Sequence, residues 1–334
     1  MANTLQQHKY NIAIAATGVV VGFVAAKLLN SKNPPLPPSV PELNDKPHPV
    51  PKPKVEPKNE EESVYETQKY VNEYLLLHYG EADEVLRHSF VPMDSLEFPR
   101  RVGKECLDAY KSVDKISRAN NKRQSEMICE SRSKLPNRAF DVGCGLGRTT
   151  FELAREFEEC IGLEKSQSFV DACNELKQNG EMTYHVCEEG DVHSTYKAKI
   201  DPEIDRSRTK FIQGDACNLS SDLGQFSCVV AANLICRLPN PYKFLERLPH
   251  LVAPGGLLVL TTPCTWLTQF TPKKYWLGGH YDQNGKPVTT FETLKRILGP
   301  NFILIEEKNM RFFIRETARK NQWVVTQATI WRRR

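Results

Sequence analysis

The chain has 334 residues, 40% hydrophobic and 26% charged, with a formal net charge of +4. That is enough apolar material for one large domain with appendages. The charge excess is small and dispersed apart from Arg332, Arg333 and Arg334, which argues against nucleic acid as a partner. Ten cysteines with no C-x-x-C pair give no sign of a zinc ribbon and read as buried free thiols in a reducing compartment.

Residues 1–9 are a short polar tail. Residues 11–26 carry no charge, and as a helix residues 10–29 reach about 30 Å, the thickness of a hydrocarbon core. Gly18 and Gly22 form a G-x-x-x-G pair within the span. A cleaved signal peptide is the rival reading. With only Lys9 ahead of the apolar run, an uncleaved anchor is preferred. Lys27, Lys32 and Lys46 follow it, which places the remainder on the cytosolic side of an unidentified membrane. The Asn218-Leu219-Ser220 acceptor and the unpaired thiols agree with that side.

Residues 30–62 are a disordered linker, with ten of the 22 prolines between Pro34 and Pro57. Extended, it spans on the order of 70 Å. Ser63 and Glu66 fit a capping box. Val71, Tyr74, Leu75 and His78 then share one helical face, and Gly80 ends the helix. A second helix is expected over 102–116. Residues 63–136 form a helical cap, and 137–334 form the core.

Phe140 to Thr150, FDVGCGLGRTT, reads as a buried strand end, a glycine loop and a helix start. Gly143, Gly145 and Gly147 let a ligand approach the backbone, and the following helix aims its amide groups at it. The dinucleotide fingerprint G-x-G-x-x-G is not met, because Thr150 stands three residues after Gly147. Asp141 would repel a pyrophosphate and suits a cationic ligand. A second strand ends in Glu164, 17 residues after Gly147, where nucleotide folds place an acid on the ribose. Ser166 caps a helix that ends at Gly180. Residues 182–210 read as a polar, loop-like insertion. A third strand runs to Asp215 and Ala216, a fourth to Asn233, and Pro254-Gly255-Gly256 leads into a fifth ending at Thr262. The last two strands, 302–309 and 322–331, lie too close for a parallel crossover and form an antiparallel pair. Cys144 and Cys217 are packing residues beside the presumed ligand.

D-x-G-x-G-x-G resembles motif I of class I S-adenosylmethionine-dependent methyltransferases. This implies an α/β Rossmann-like seven-stranded sheet, its last strand antiparallel. It also implies S-adenosyl-L-methionine as cofactor, held by Asp141, Gly143, Gly145, Gly147, Glu164, Asp215 and Ala216. Further stretches are YETQKYVNEYLLLHYG (65–80), FIQGDACNL (211–219), AANLICRLPNP (231–241), PGGLLVLTTPCTWLTQFTPKKYWLGG (254–279) and IRETARKNQWVVTQATIWRR (314–333). With motif I these resemble the 4-mercaptohistidine N1-methyltransferase family, which includes the methyltransferase domain of ovothiol synthases. The resemblance implies methylation of a ring nitrogen of a thiolated histidine that a separate synthase supplies. It does not imply the sulfoxide-synthase step. His78, Tyr79, Asn233, Arg237 and Trp266 are the substrate-binding candidates, and no metal site is expected. The competing readings are another small azole, a protein substrate, or a non-catalytic anchored scaffold. Arg315 and Glu316 are expected to form a structural pair.

Overall fold

The computed structural model describes residues 64–88, 92–120 and 135–334. The expected anchor over 10–29 and the linker over 30–62 lie outside them. Among the described residues no helix is long and apolar enough to cross a membrane.

A short 3-10 turn, Val64–Glu66, leads into helix α1, Gln68–Tyr79. The N-cap is Thr67, not Ser63. Glu66 instead accepts the backbone N–H groups of Gln167 and Ser168, both at 3.0 Å. The capping carboxylate expected for one helix thus serves the start of another, where the helix dipole favours it. Helices α2, Ala82–Val85, and α3, Phe98–Asn120, complete the cap.

Strand β1 is Arg138–Val142, followed by the glycine loop and helix α4, Arg148–Leu153. Then come β2, Glu159–Glu164, and α5, Gln167–Asn179. Ser166 caps α5 by accepting from Phe169 N–H, and Gly180 ends it at φ 78°. The expected loop over 182–210 is corrected by the structure. It begins with a hairpin of β3, Glu181–Glu189, and β4, Val192–Lys199. Tyr184, Val186, Ala198 and Ile200 are buried, so an alternating pattern carries one apolar face through a polar-looking segment. Strand β5, Thr209–Gln213, stops two residues short of Asp215. Strand β6, Phe226–Ala232, is followed by helix α6, Pro241–Leu251, and β7, Val252–Thr262. A two-residue pair, β8 (His280–Tyr281) and β9 (Pro287–Val288), precedes helix α7, Thr290–Leu298. Long strands β10, Phe302–Arg315, and β11, Asn321–Arg333, end the chain.

Seven strands form one sheet in the order β10-β11-β7-β6-β1-β2-β5. Only β11 runs against the others, as the short 316–320 link requires. One apolar cluster packs α1, α3, α4 and α5 on one face, and a second packs α6 and α7 on the other. From β1 the chain moves outward to β2 and β5, then returns to place β6 on the opposite side. Ligands bind α/β sheets at such a switch point, beyond the carboxyl ends of the strands.

Candidate active site

Gly143, Gly145 and Gly147 all have positive φ, at 72°, 55° and 78°. Their surroundings differ. A Cβ on Gly147 would stand 2.7 Å from the Phe211 ring, so this glycine lets α4 close onto β5. A Cβ on Gly145 would stand 3.0 Å from His78 Nε2, in the space above the loop. Gly143 N–H donates to the Leu163 carbonyl at 2.7 Å, tying the loop to β2.

The acids lie at or just beyond the ends of neighbouring strands. Glu164 Oε2 accepts from Gly145 N–H at 3.0 Å, and Oε1 accepts from Lys165 N–H at 2.8 Å. Burial pushes this carboxyl up, and the three backbone donors oppose the shift. Asp215 accepts Cys217 N–H through Oδ1 at 2.7 Å, and Ala216 beside it is buried. Asp141 is different. It is 1% exposed, and its Oδ2 accepts from Thr150 Oγ1 at 2.8 Å. The carboxyl fastens the loop to α4 through Thr150 and is buried, although the sequence places it at the cofactor's amino-acid end. Burial pushes it up to about 7. Cys144, also buried, packs against Gly162 as expected.

Of the substrate candidates, Asn233 and Arg237 sit together on the carboxyl side of β6. Asn233 is a non-glycine residue at φ 54°. Its backbone N–H donates to Thr261 O at 2.9 Å, and its Oδ1 accepts from Thr261 Oγ1 at 2.9 Å and Thr326 Oγ1 at 2.7 Å. Both threonines are buried, and Thr326 has no other acceptor among the described residues. The amide oxygen must therefore face them, leaving Nδ2 without a protein partner among the described residues. Backbone strain over-determined in this way marks functional positions. Arg237 donates to Thr265 O at 3.0 Å and lies 4.8 Å over the Phe270 ring.

Three candidates move. Trp266 is 7% exposed, and its indole N–H donates to Thr290 Oγ1 at 2.8 Å. It is a core residue, not a stacking platform. Tyr79 is buried, and its hydroxyl donates to Leu146 O at 2.7 Å, pinning the glycine loop. His78 also faces that loop, across Gly145, rather than the β6 side.

Two side chains escaped the sequence reading. Tyr65 and Tyr74 pack edge to face, with ring centroids 6.0 Å apart. Burial pushes both phenols up, while the field of Arg237 opposes it and that of Glu164 adds to it. The two hydroxyls thus lie within the electrostatic reach of both groups. Tyr65 O also accepts from Ser166 Oγ at 3.0 Å, so the first turn is strapped to the start of α5, next to Glu164. The sequence pattern places Tyr74 only on an apolar helical face. Arg315 is buried against Glu188 and the Glu84 carbonyl, a structural role with a different acid from the expected Glu316.

Residues 140–260 match the family model described as a methyltransferase domain. Magnesium-protoporphyrin O-methyltransferase of Rhodobacter capsulatus is 25% identical over 62% of this chain and 84% of its own length. Tocopherol O-methyltransferase of Arabidopsis thaliana is 25% identical over 40% of this chain, and norajmaline N-methyltransferase of Rauvolfia serpentina is 23% identical over 40%. The chain spans about a third of those two, 32% and 38%. The solved N-methyltransferase NodS of Bradyrhizobium japonicum WM9, in complex with S-adenosyl-L-homocysteine, superposes with a TM-score of 0.39 at 14% identity over 79% of this chain and 98% of its own. The glycine cradle, the unpartnered His78 edge above it and the acids at the ends of β2 and after β5 fit S-adenosylmethionine. The strand order is that of the class I methyltransferase fold, and with the match over residues 140–260 it makes the chain an S-adenosylmethionine-dependent methyltransferase.

Proposed function

We propose that the chain methylates a ring nitrogen of a small thiolated histidine, as its resemblance to the 4-mercaptohistidine N1-methyltransferase family implies. The observation that carries this reading is Asn233. Its oxygen is taken by Thr261 and Thr326, so it offers donors only, at the switch point between β1 and β6. Such donors suit a substrate that presents an acceptor, such as a thiolate, beside the reacting atom. Arg237 suits an α-carboxylate through its forked guanidinium.

When bound, the cofactor supplies a methyl group already activated on a sulfonium. A neutral imidazole nitrogen brings its own lone pair, the ring titrating at about 6.5. The other ring N–H loses its proton to water after transfer, so no strong base is needed. The cleft agrees with that demand. Asp141 lies beneath the loop, burial pushes the Tyr65 and Tyr74 phenols up, and burial with Arg148 holds His78 down at about 3. A phenol acceptor, which must first be deprotonated, fits less well. The chain's contribution is then placement and exclusion of water.

The test is product analysis by mass after incubating the full chain with S-adenosylmethionine and either 4-mercaptohistidine or histidine. One methyl gained on the thiolated compound alone is expected. Methylation of histidine alone, or of neither, overturns the substrate. We further propose that residues 10–29 anchor the enzyme with its catalytic domain in the cytosol, and that a separate synthase supplies the substrate. Release of the full chain from membranes by alkaline carbonate would contradict the anchor.

A further inference from the structure

His78 is 8% exposed, and its Nδ1 is sealed from solvent with no hydrogen-bond partner. A buried polar atom left without a partner is uncommon and calls for a reason. Neither ring nitrogen bonds to a described residue. The ring is packed by Tyr74 and Tyr79, with centroids 6.2 Å and 6.1 Å away, so its orientation is held without polar contacts. The Nε2 edge reaches the glycine loop, 3.0 Å from where a Cβ of residue 145 would stand.

The tautomer follows from this geometry. A neutral imidazole carries one N–H. On Nδ1 that donor would be buried beside nothing that accepts it. On Nε2 it faces Gly145 of the glycine loop. Arg148 reinforces the polarity of that spot. Its Nε pairs with Glu152 at 2.9 Å and its Nη1 donates to the His78 carbonyl at 3.4 Å, which holds the guanidinium beside the imidazole. A donor next to a fixed cation asks for an anion. The strand ends say which part of the cofactor arrives there. Asp215 follows β5 and Glu164 ends β2; if these acids held the adenine and ribose, the amino-acid end would extend over the β1 loop.

We propose that His78 donates from Nε2 to the carboxylate of the cofactor's methionine moiety, and so makes the site require an amino-acid end as well as a nucleoside. This rests on the cofactor assignment and not on the thiohistidine substrate. His78 is a cofactor-binding residue, and no proton moves through it.

The test is calorimetric binding to the full chain of two ligands, S-adenosyl-L-homocysteine and 5′-methylthioadenosine. The second keeps the nucleoside thioether and lacks the amino acid. His78→Phe preserves the aromatic packing and removes the donor. It should weaken S-adenosyl-L-homocysteine by at least about tenfold, the loss expected for a hydrogen bond to a charged group. Its affinity for 5′-methylthioadenosine should stay within about twofold of wild type. His78→Gln, which restores an N–H donor, should recover most of the difference. Equal losses for both ligands would indicate a structural role and overturn the proposal. So would an unchanged affinity for S-adenosyl-L-homocysteine in His78→Phe. Should that variant not fold, His78→Gln decides alone: retained discrimination between the ligands supports the proposal, and lost discrimination overturns it. Wild-type protein that binds neither ligand sinks the cofactor assignment and the proposal together.

Discussion

Gly147 and Gly190 share a positive φ but not an environment, and comparing them isolates what the cofactor loop demands. Gly190, at φ 55° in the turn between β3 and β4, has nothing within 4 Å of the position a Cβ would take. Alanine there meets only the left-handed backbone penalty of about 1–2 kcal/mol. A stiffer unfolded chain offsets about 0.4–1 kcal/mol of it. The net cost is under about 1.5 kcal/mol. At Gly147 the same methyl would lie 2.7 and 2.9 Å from two Phe211 ring carbons and 3.1 Å from Cys173 Sγ. Overpacking a closed core adds about 1–3 kcal/mol, for a total of about 1–4.5 kcal/mol. Urea unfolding of the two alanine variants, followed by tryptophan fluorescence, should separate them by about 2 kcal/mol. Equal destabilisation would refute the claim that the third glycine exists to seat α4 against β5.

Asn233→Asp keeps the shape and lets one oxygen still accept from Thr261 and Thr326, but turns the donor face into an acceptor. It should cut kcat/KM for the thiolated substrate by about 100-fold while leaving S-adenosyl-L-homocysteine affinity within about twofold, because it unpairs a substrate acceptor and not the cofactor. A parallel loss of cofactor affinity would place Asn233 elsewhere. Burial beneath the loop raises Asp141 from 3.8 to about 7. The folded state therefore binds its proton more tightly than the unfolded chain, and stability falls as pH rises from 3.8 through about 7. Asp141→Asn should flatten that part of a urea-denaturation profile, and an unchanged slope would remove Asp141 as its cause.

The sheet was legible because each core strand announces itself as an apolar run with a chemical marker at its end: Asp141, Glu164, Asp215 beyond β5, and Asn233. The switch point follows from their order. The β3–β4 hairpin was missed because its inward set, Tyr184, Val186, Ala198 and Ile200, alternates with charged residues that dominate the local composition. The helix start at Thr67 was missed because Glu66 is a capping residue whose helix, α5, begins 101 residues later. The site divides in the same way. The acids at and beyond the strand ends could be read from position in the chain. The roles of His78, Tyr79 and Trp266 depend on which face of the fold meets which loop, and no spacing encodes that. Thr326 is the clearest case. It lies 93 residues from Asn233, yet its hydroxyl decides which way the Asn233 amide points.

The central claim is a cofactor cleft at the carboxyl ends of β1, β2 and β5, and equilibrium binding of S-adenosyl-L-homocysteine to the full chain and to Glu164→Ala tests it most directly. If Glu164 held the ribose diol through two charge-assisted hydrogen bonds, its removal would cost about 3 kcal/mol, roughly a 100-fold loss of affinity. Wild-type binding with that loss is the predicted result. No binding by the wild type, or equal affinity in the variant, would contradict the account.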